Sequence, residues 1–420
     1  MKKIKSMMLY SAMAVFALTS CSDDDGNNNG NNNNSGNVVK SGGITSDETW
    51  TADKIYQLSG RVVVESGATL TIEPGTIIKA EGGREANASA LIIARGGKIM
   101  ANGTASQPII FTSVLDEIAV GETESPNLDE TFNGLWGGLI VLGRATISAD
   151  NSEVQIEGIP ADDTRGLYGG SIDDDNSGVI NYVSVRFGGT LIGEGNEING
   201  ITLGGVGNAT TITNVEVVSN LDDGIEWFGG TVNVTNALVW GQGDDAFDVD
   251  QAYSGTIDNF MFIGSADSDH GLEIDGAEGS FESGFTMQNG TMIGWNDGGE
   301  GGGEYADFRD GARGTFTNIY WTNFSQNSDV ELDAGDDNDD PRVSNNYANG
   351  DLEFINWEFN TSHLTSGNVD VSDIFSDKLA GVDVFALLGL GFASNVTAPG
   401  AAGADVTAFS WTSAKAQGAF

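Results

Sequence analysis

Between Leu221 and Gly276 one phrase occurs three times. It reads Asp222-Asp223-Gly224-Ile225-Glu226-Trp227, then Asp244-Asp245-Ala246-Phe247-Asp248-Val249-Asp250, then Asp269-His270-Gly271-Leu272-Glu273-Ile274-Asp275, in steps of 22 and 25 residues. Fainter copies continue as Tyr305-Ala306-Asp307-Phe308-Arg309 and Asp329-Val330-Glu331-Leu332-Asp333, and an uncharged copy precedes as Asn199-Gly200-Ile201-Thr202-Leu203. A period of this size means stacked structural units, none of which can bury its apolar face alone. Within each copy apolar and acidic residues alternate, as in a strand with one buried face. The pattern therefore sends Ile225, Trp227, Phe247, Val249, Leu272, Ile274, Phe308 and Leu332 inward. It sends Glu226, Asp248, Glu273, Asp307 and Glu331 outward, one above another.

A second column keeps step with the first. An asparagine precedes a short apolar strand at Asn181, Asn214, Asn236, Asn259, Asn289, Asn318 and Asn356. Asn tolerates the left-handed backbone of a tight turn, and stacked amides hydrogen-bond along a stack. Two columns in step predict an all-β fold: a right-handed, single-stranded parallel β-helix, one coil per repeat, with about 4.8 Å between coils. A generic antiparallel β fold explains neither the period nor the columns.

The chain opens differently. Lys2, Lys3 and Lys5 precede a short apolar run from Met7 to Leu18, the pattern of a signal peptide rather than a membrane span. The segment ends Leu18-Thr19-Ser20-Cys21, which resembles the lipobox of bacterial lipoproteins; the resemblance implies that Cys21, the only cysteine, carries a lipid. Ser22-Asp23-Asp24-Asp25 and the Asn/Gly run after it cannot bury a core and read as a disordered tether. Acids directly after the lipidated cysteine are similar to the export signal of Bacteroidota surface lipoproteins, which implies an outer-membrane anchor and display on the cell surface. The expected organisation is a signal peptide over 1–20, lipidated Cys and flexible linker over 21–49, the β-helix over 50–360 and a C-terminal cap region over 361–420.

Loss of residues 1–20 removes three lysines and no acid, leaving 15 basic against 61 acidic residues, a net charge near −46. That excludes nucleic acid as a partner, because phosphate binding requires Lys and Arg. Sixty Gly with only 6 Pro suit many tight turns, and 39% apolar residues supply the core of one elongated solenoid.

Short strands between Gly turns begin near residue 57, at Val62-Val63-Val64, Ala68 to Ile78, Leu91-Ile92-Ile93-Ala94 and Pro108 to Ser113. The run from Ala90 to Ser113, with Asp222 to Gly230 (DDGIEWFGG) and Gly243 to Asp248 (GDDAFD), resembles a family of large β-helical surface proteins of Bacteroidota, of the pectin-lyase-like solenoid type. The resemblance implies fold and location but no activity. Residues 114–178, containing Gly134 to Leu142 (GLWGGLIVL) and Asp173-Asp174-Asp175, read as a coil bearing long loops, where solenoids carry insertions and function. After Phe359 the pattern fades. Val382 to Leu390 reads as a short capping helix, and Ala408-Phe409-Ser410-Trp411 as a plug for the open end.

Two enzymatic readings, a hydrolase and a lyase, and two non-enzymatic ones fit this frame. Asn220 to Gly224, Gly243-Asp244-Asp245, Asp269-His270-Gly271 and Arg309 have the order of a polygalacturonase active site. That local resemblance implies an inverting glycoside hydrolase with Asp223, Asp244 and Asp245 as acids, His270 as helper and Arg309 as substrate clamp. The sequence departs from the motif: Asp269 replaces a Gly, and Asp310 stands where a Lys is expected. The alternative is that Asp-Asp-Gly is turn chemistry. A lyase would need Arg309 or Arg313 as base. A non-catalytic binding module uses the acids for cations and hydroxyls, with Phe228, Tyr253, Tyr305 and Trp295 stacking on sugar rings; the alternative for each aromatic is core or turn packing. An accessory to an outer-membrane transporter is the last reading, supported by resemblance alone.

The acid column carries its own demand. Carboxylates about 4.8 Å apart repel by roughly 1 kcal/mol in bulk water and about 3–4 kcal/mol at an effective dielectric of 20. Glu226, Asp248, Glu273, Asp307 and Glu331, with Asp250, Asp275 and Asp333 at the next outward position, offer oxygen-rich sites suited to calcium rather than zinc. The loop Asp336-Asp337-Asn338-Asp339-Asp340 is a second candidate. The reading that absorbs most of these features is a lipid-anchored surface β-helix that binds glycan or another extracellular ligand with calcium, and does not catalyse.

If Cys21 carries the anchor, Cys21→Ala releases the protein from the membrane fraction into the soluble one. Fractionation and immunoblotting check this; a variant that stays with the membrane disproves the lipid.

Overall fold

The structure, a computed structural model, describes residues 37–84, 87–191, 198–296, 303–335, 337–364 and 369–420. The signal peptide, Cys21 and most of the tether lie outside the described residues. Among those described, 24 strands join in one sheet that winds as a parallel β-helix. No described helix is long and apolar enough to cross a membrane.

The asparagine column lies on strands Gly178–Arg186, Thr211–Val218, Asn233–Trp240, Thr256–Ile263, Phe285–Ile293, Gly314–Thr322 and Leu352–Asn360, each stacked on the one before. Each strand bends in the middle. At the bend Asn214, Asn236, Asn259, Asn289, Asn318 and Asn356 have φ between 51° and 61°. In the earliest of these coils Tyr182 takes the left-handed conformation instead of Asn181, at φ 50°. The amides form the expected ladder: Asn214 donates to Asn181 at 2.8 Å, Asn236 to Asn214 at 2.8 Å, Asn259 to Asn236 at 2.7 Å, Asn318 to Asn289 at 3.1 Å and Asn356 to Asn318 at 2.9 Å. Asn102 extends it, accepting from Asn181 at 2.8 Å. One rung is replaced: Asn289 donates to Asp258. The Asn259 carbonyl instead accepts from the Asp405 amide at 2.6 Å.

The acid column lies on Ile225–Gly230, Phe247–Tyr253, His270–Asp275, Glu304–Arg309 and Val330–Leu332. The register is the one the repeats predict, Glu226 beside Asp248, Asp248 beside Glu273, Glu273 beside Asp307 and Asp307 beside Glu331. Ile225, Trp227, Phe247, Val249, Leu272, Ile274, Phe308 and Leu332 all lie in the central core. Gly224 closes the turn before the first copy because a Cβ there would lie 2.4 Å from Val239 and 2.6 Å from the Ala246 carbonyl.

The coils extend beyond the expected bounds. Val38–Ile44 and Glu48–Trp50 pair in parallel with the strands that follow, so residues 38–49 belong to the first coil rather than the linker. Phe375–Asp377 and Ala393–Asn395 likewise stack on Val330–Leu332 and Leu352–Asn360, so 361–395 is more than a cap. Within it Val384–Leu388 is the expected short helix.

The remaining tail does not plug the open end. It runs back across the outer face of the asparagine column. Ala401 donates to Glu358, Ala404 to Thr291, Asp405 to Asn259 and Ala414 to Glu216. Phe409 packs on Leu238, Met261 and Ile263, outward residues of that column. Glu216 is fully buried beneath it, 3.9 Å from Arg186. The sequence pattern hides this because outward apolar residues on Thr211–Val218, Asn233–Trp240 and Thr256–Ile263 read as a strand buried on both faces. The 114–178 insertion supplies one coil strand, Leu139–Leu142. Its later part, including the hairpin Val154–Gln155 with Leu167–Tyr168, covers the start of the acid face: Ile147, Ile156, Ile159 and Tyr168 pack with Phe228.

Asn236→Ala removes two ladder bonds, each worth about 1 kcal/mol, and forces a Cβ residue without a polar tip into the left-handed region at about 1–2 kcal/mol. The urea midpoint should fall by an amount equivalent to roughly 2–4 kcal/mol, with Asn236→Gly recovering the backbone part. A shift below about 0.5 kcal/mol would show that the ladder contributes nothing.

Candidate functional site: a buried acidic face

Two adjacent columns build the site. The first is the turn column, Asp223, Asp245 and His270, at the entry to each strand. Asp223 Oδ1 accepts the backbone N–H of Asp245 at 3.0 Å. Asp245 Oδ1 accepts the N–H of His270 at 2.7 Å and faces its Nδ1 at 2.9 Å. Each aspartate thus ties its own coil to the next, the turn role that Asp-Asp-Gly suggests. Burial pulls the His270 pKa down, but the hydrogen bond and charge of Asp245, with Asp269 and Asp307, lift it to about 10. His270 is therefore an imidazolium at neutral pH.

The second is the acid column. Its side chains point away from the core, as expected, yet they are not exposed: Glu226, Asp248 and Glu273 are all buried. Crowding by neighbouring coils removes them from water. Burial raises Glu226 and Asp248 well above the usual carboxylate range, and neighbouring carboxylates raise them further. Asp223 is raised for the same reasons, burial and then Asp248 and Asp245. Burial lifts Glu273 to about 9, with Asp245 adding and Arg309 opposing. Asp307 reaches about 7 by burial against the pull of His270. Asp250 reaches about 7 by burial and the charges of Asp275 and Glu278.

Compensation is uneven along the column. Arg309 pairs with Glu273 and, at 2.6 Å, with Asp275. Lys378 holds Glu331 at 2.6 Å and Asp329 at 3.3 Å. His270 serves Asp245 and lies 3.7 Å from Glu273. Among the described residues no Lys, Arg or His forms an ion pair with Asp223, Glu226 or Asp248. These three offer ligand oxygens that all lie within 4.8 Å of one another. Asn199 donates to Glu226 and to Glu157, while its own Oδ1 and Asp248 Oδ1 are buried without a hydrogen-bond partner. Asp223 also joins a second set, Asp222, Asp223 and Asp244, of which Asp244 is exposed.

Several expectations need correction. Phe228, Tyr253 and Tyr305 are 8%, 1% and 2% exposed and offer no face to a sugar. Phe228 lies under the insertion, and the other two stack with core aromatics. Trp295 is exposed, but on the turn after Phe285–Ile293 in the other column. Asp333 caps the turn at Ala334 and Gly335, at 2.7 and 3.2 Å, while its charge still acts on Asp307. In the 336–340 loop Asp340 pairs with Arg342 at 2.6 Å, and Asp336 lies outside the described residues. Conversely, Asn199, Glu304 and Asp329 were not anticipated as ligands; the last two join the expected Glu331 in one group. Glu304 was findable: it lies beside His270 in register, one repeat later.

The hydrolase constellation is brought together in part: Asp223 and Asp244, with Asp222, offer oxygens within 4.8 Å of one another, and His270 meets Asp245. Asp223 and Asp245 are committed to backbone N–H groups. Oxygen pairs up to about 4.8 Å apart are what one calcium ion spans, since its ligands sit about 2.3–2.6 Å away. The all-oxygen donor set therefore fits calcium.

A family model described as a pectate-lyase like β-helix domain matches residues 42–414. Among solved structures, the pectin methylesterase of Aspergillus niger shares 13% identity over 79% of this chain and 87% of that one, with a TM-score of 0.29, a likeness too loose to bear on mechanism. No curated protein matches.

Carboxylates with raised pKa values hold protons in the folded state that the unfolded chain, titrating near pH 4, has already lost. Their stabilisation is therefore complete below about pH 4 and is lost as pH rises through the folded values of about 7 for Asp250 and Asp307 and about 9 for Glu273. In metal-free buffer the thermal midpoint should fall steadily between about pH 5 and pH 9. A midpoint that is flat or rises over that window contradicts the buried acidic face.

Proposed function

This chain belongs to the pectate-lyase-like β-helix family, and on that frame we propose a non-catalytic, calcium-assisted module that binds glycan or another extracellular ligand, held at the outer membrane through lipid on Cys21. One observation carries the reading. Asp223, Glu226 and Asp248 are buried together, with ligand oxygens within 4.8 Å of one another and no cationic side chain paired to them. Three uncompensated carboxylates out of water cost several kcal/mol each unless protonated or matched by a cation.

Calcium takes six to eight oxygens, more than this trio supplies. Remaining positions are open to oxygens from elsewhere, including ligand hydroxyls. Asp223 links the buried trio to Asp222 and the exposed Asp244, so the face has an outer edge that a ligand can reach. With Phe228, Tyr253 and Tyr305 in the core, recognition on this face rests on carboxylates and cation rather than on aromatic stacking. Catalysis finds less support, because the two best-placed acids, Asp223 and Asp245, each hold a backbone amide of the next coil.

Thermal unfolding at low salt, titrated with calcium, should show a midpoint that rises with the metal and rises less in Glu226→Gln and Asp248→Asn. On a glycan array the protein should retain ligand with calcium and release it with chelator, and pectic, uronic and neutral polysaccharides should yield no new reducing ends. A midpoint that responds to calcium no more than to sodium chloride of equal ionic strength sinks the metal. Turnover abolished by Asp245→Asn or His270→Ala replaces the binding reading with the hydrolase.

A further inference from the structure

The insertion that covers Phe228 also closes a cavity of about 450 Å³ against the coil turns at Glu65-Ser66 and Ala94-Arg95. In a chain of net charge −43, three of its nine arginines line that one cavity: Arg95, Arg144 and Arg165. Arg95 comes from a coil turn, Arg144 from the exit of strand Leu139–Leu142, and Arg165 from the short 3-10 turn of the insertion. The fold therefore gathers them from three separate stretches.

Their partners differ. Arg95 holds Glu153 at 3.0 Å and the Gly169 carbonyl at 2.9 Å. Arg165 grips Asp163 with two bonds, at 2.6 and 2.5 Å, and reaches Glu65 at 3.6 Å. Arg144 is half buried and forms no ion pair among the described residues; its guanidinium bonds the Arg95 carbonyl at 3.4 Å, and its charge is felt by Asp175, which also takes its backbone N–H, and by Glu153. Arg186, Arg309, Arg313 and Arg342 all form ion pairs. Where acids outnumber bases threefold, a half-buried arginine beside a cavity with no carboxylate in ion-pair contact keeps its guanidinium open to an added anion.

We propose that this cavity binds a small hydroxylated oxyanion, a carboxylate or phosphate carried on a body of sugar size. Arg144 presents its planar fork to the oxyanion, the geometry that favours Arg over Lys for such groups. Arg95 and Arg165 flank it, held in place by the acids they already pair with. Glu65, Glu153 and Ser66 accept or share hydroxyl protons, which a bare inorganic anion does not offer. The volume lies within the range of about 300–1,000 Å³ usual for ligand pockets. A long polyanion is disfavoured by the chain's net charge of −43. The site is separate from the acid column and needs no metal.

The test is isothermal titration of the mature chain in metal-stripped, low-salt buffer with glucuronate, glucose 6-phosphate, glucose and inorganic phosphate in turn. One of the two hydroxylated anions should bind at one site per chain, at least tenfold tighter than inorganic phosphate, while glucose gives no heat. Which of the two binds identifies the oxyanion as carboxylate or phosphate. Arg144→Gln should weaken binding at least tenfold with an unchanged thermal midpoint, and Arg144→Lys should lie between. Arg95→Gln supplies the same comparison if Arg144→Gln does not fold. The proposal is overturned if neither anion binds, if glucose or inorganic phosphate binds as well as they do, or if a folded Arg144→Gln binds like the parent.

Discussion

Parallel pairing between coils places each side chain directly above its counterpart at about 4.8 Å, and the rest of this structure follows from that repetition. Like meets like at every position. For asparagine the result is favourable, because an amide both donates and accepts, and a column of amides satisfies itself. The left-handed bends at Asn214, Asn236, Asn259, Asn289, Asn318 and Asn356 are the local condition for that column. For aromatic and aliphatic residues the same stacking fills the core without a gap, as Trp321, Trp357 and Phe359 do. For carboxylates it is unfavourable, because an ionised acid only accepts. The structure answers that problem differently in different coils.

The frame was legible in the sequence because period and alternation are properties of neighbouring residues. Asp248 follows Glu226 by 22 residues in the chain and lies beside it in register. What the sequence hid was long-range cover. Alternation says that Glu226 points out of its strand; it does not say that the insertion and adjacent coils exclude water there. It also marks Phe228 and Tyr253 as outward or turn residues, when Ile147 and Tyr168 bury the first and Phe285 packs on the second. The same limit applies to the tail. Nothing within 401–420 reveals that its partners are Asn259 and Glu216, nearly 150 and 200 residues away.

Those two covers divide the outer surface. The tail seals the face of the asparagine column over Leu238, Met261 and Ile263. The insertion seals the beginning of the acid face over Leu142 and Phe228. The stretch left for chemistry is the acid column from Asp223 onward, with the cavity that the insertion and the coil turns line. The insertion contributes Arg144 and Arg165 to that cavity, and its Glu157 lies with Asn199 beside Glu226.

A buried acid column can be neutralised by side-chain cations, by protons or by a metal ion, and its two ends differ in which they use. Beyond Glu273 the chain supplies two cations of its own, Arg309 and Lys378, although Asp307 Oδ1 stays buried there without a hydrogen-bond partner. Asp223, Glu226 and Asp248 have no ion pair among the described residues, although the charge of Arg309 reaches Asp248. Protons would suffice only if the site had no other demand on its oxygens, yet the Asp248 and Asn199 oxygens are left buried and unbonded. A proton on one carboxylate satisfies at most one such acceptor, whereas a calcium ion accepts several oxygens at once from different directions. The unpaired oxygens and the missing ion pairs are the two demands that the proposed calcium would meet together, where the repeat sequence leaves the stacking of like charges unresolved.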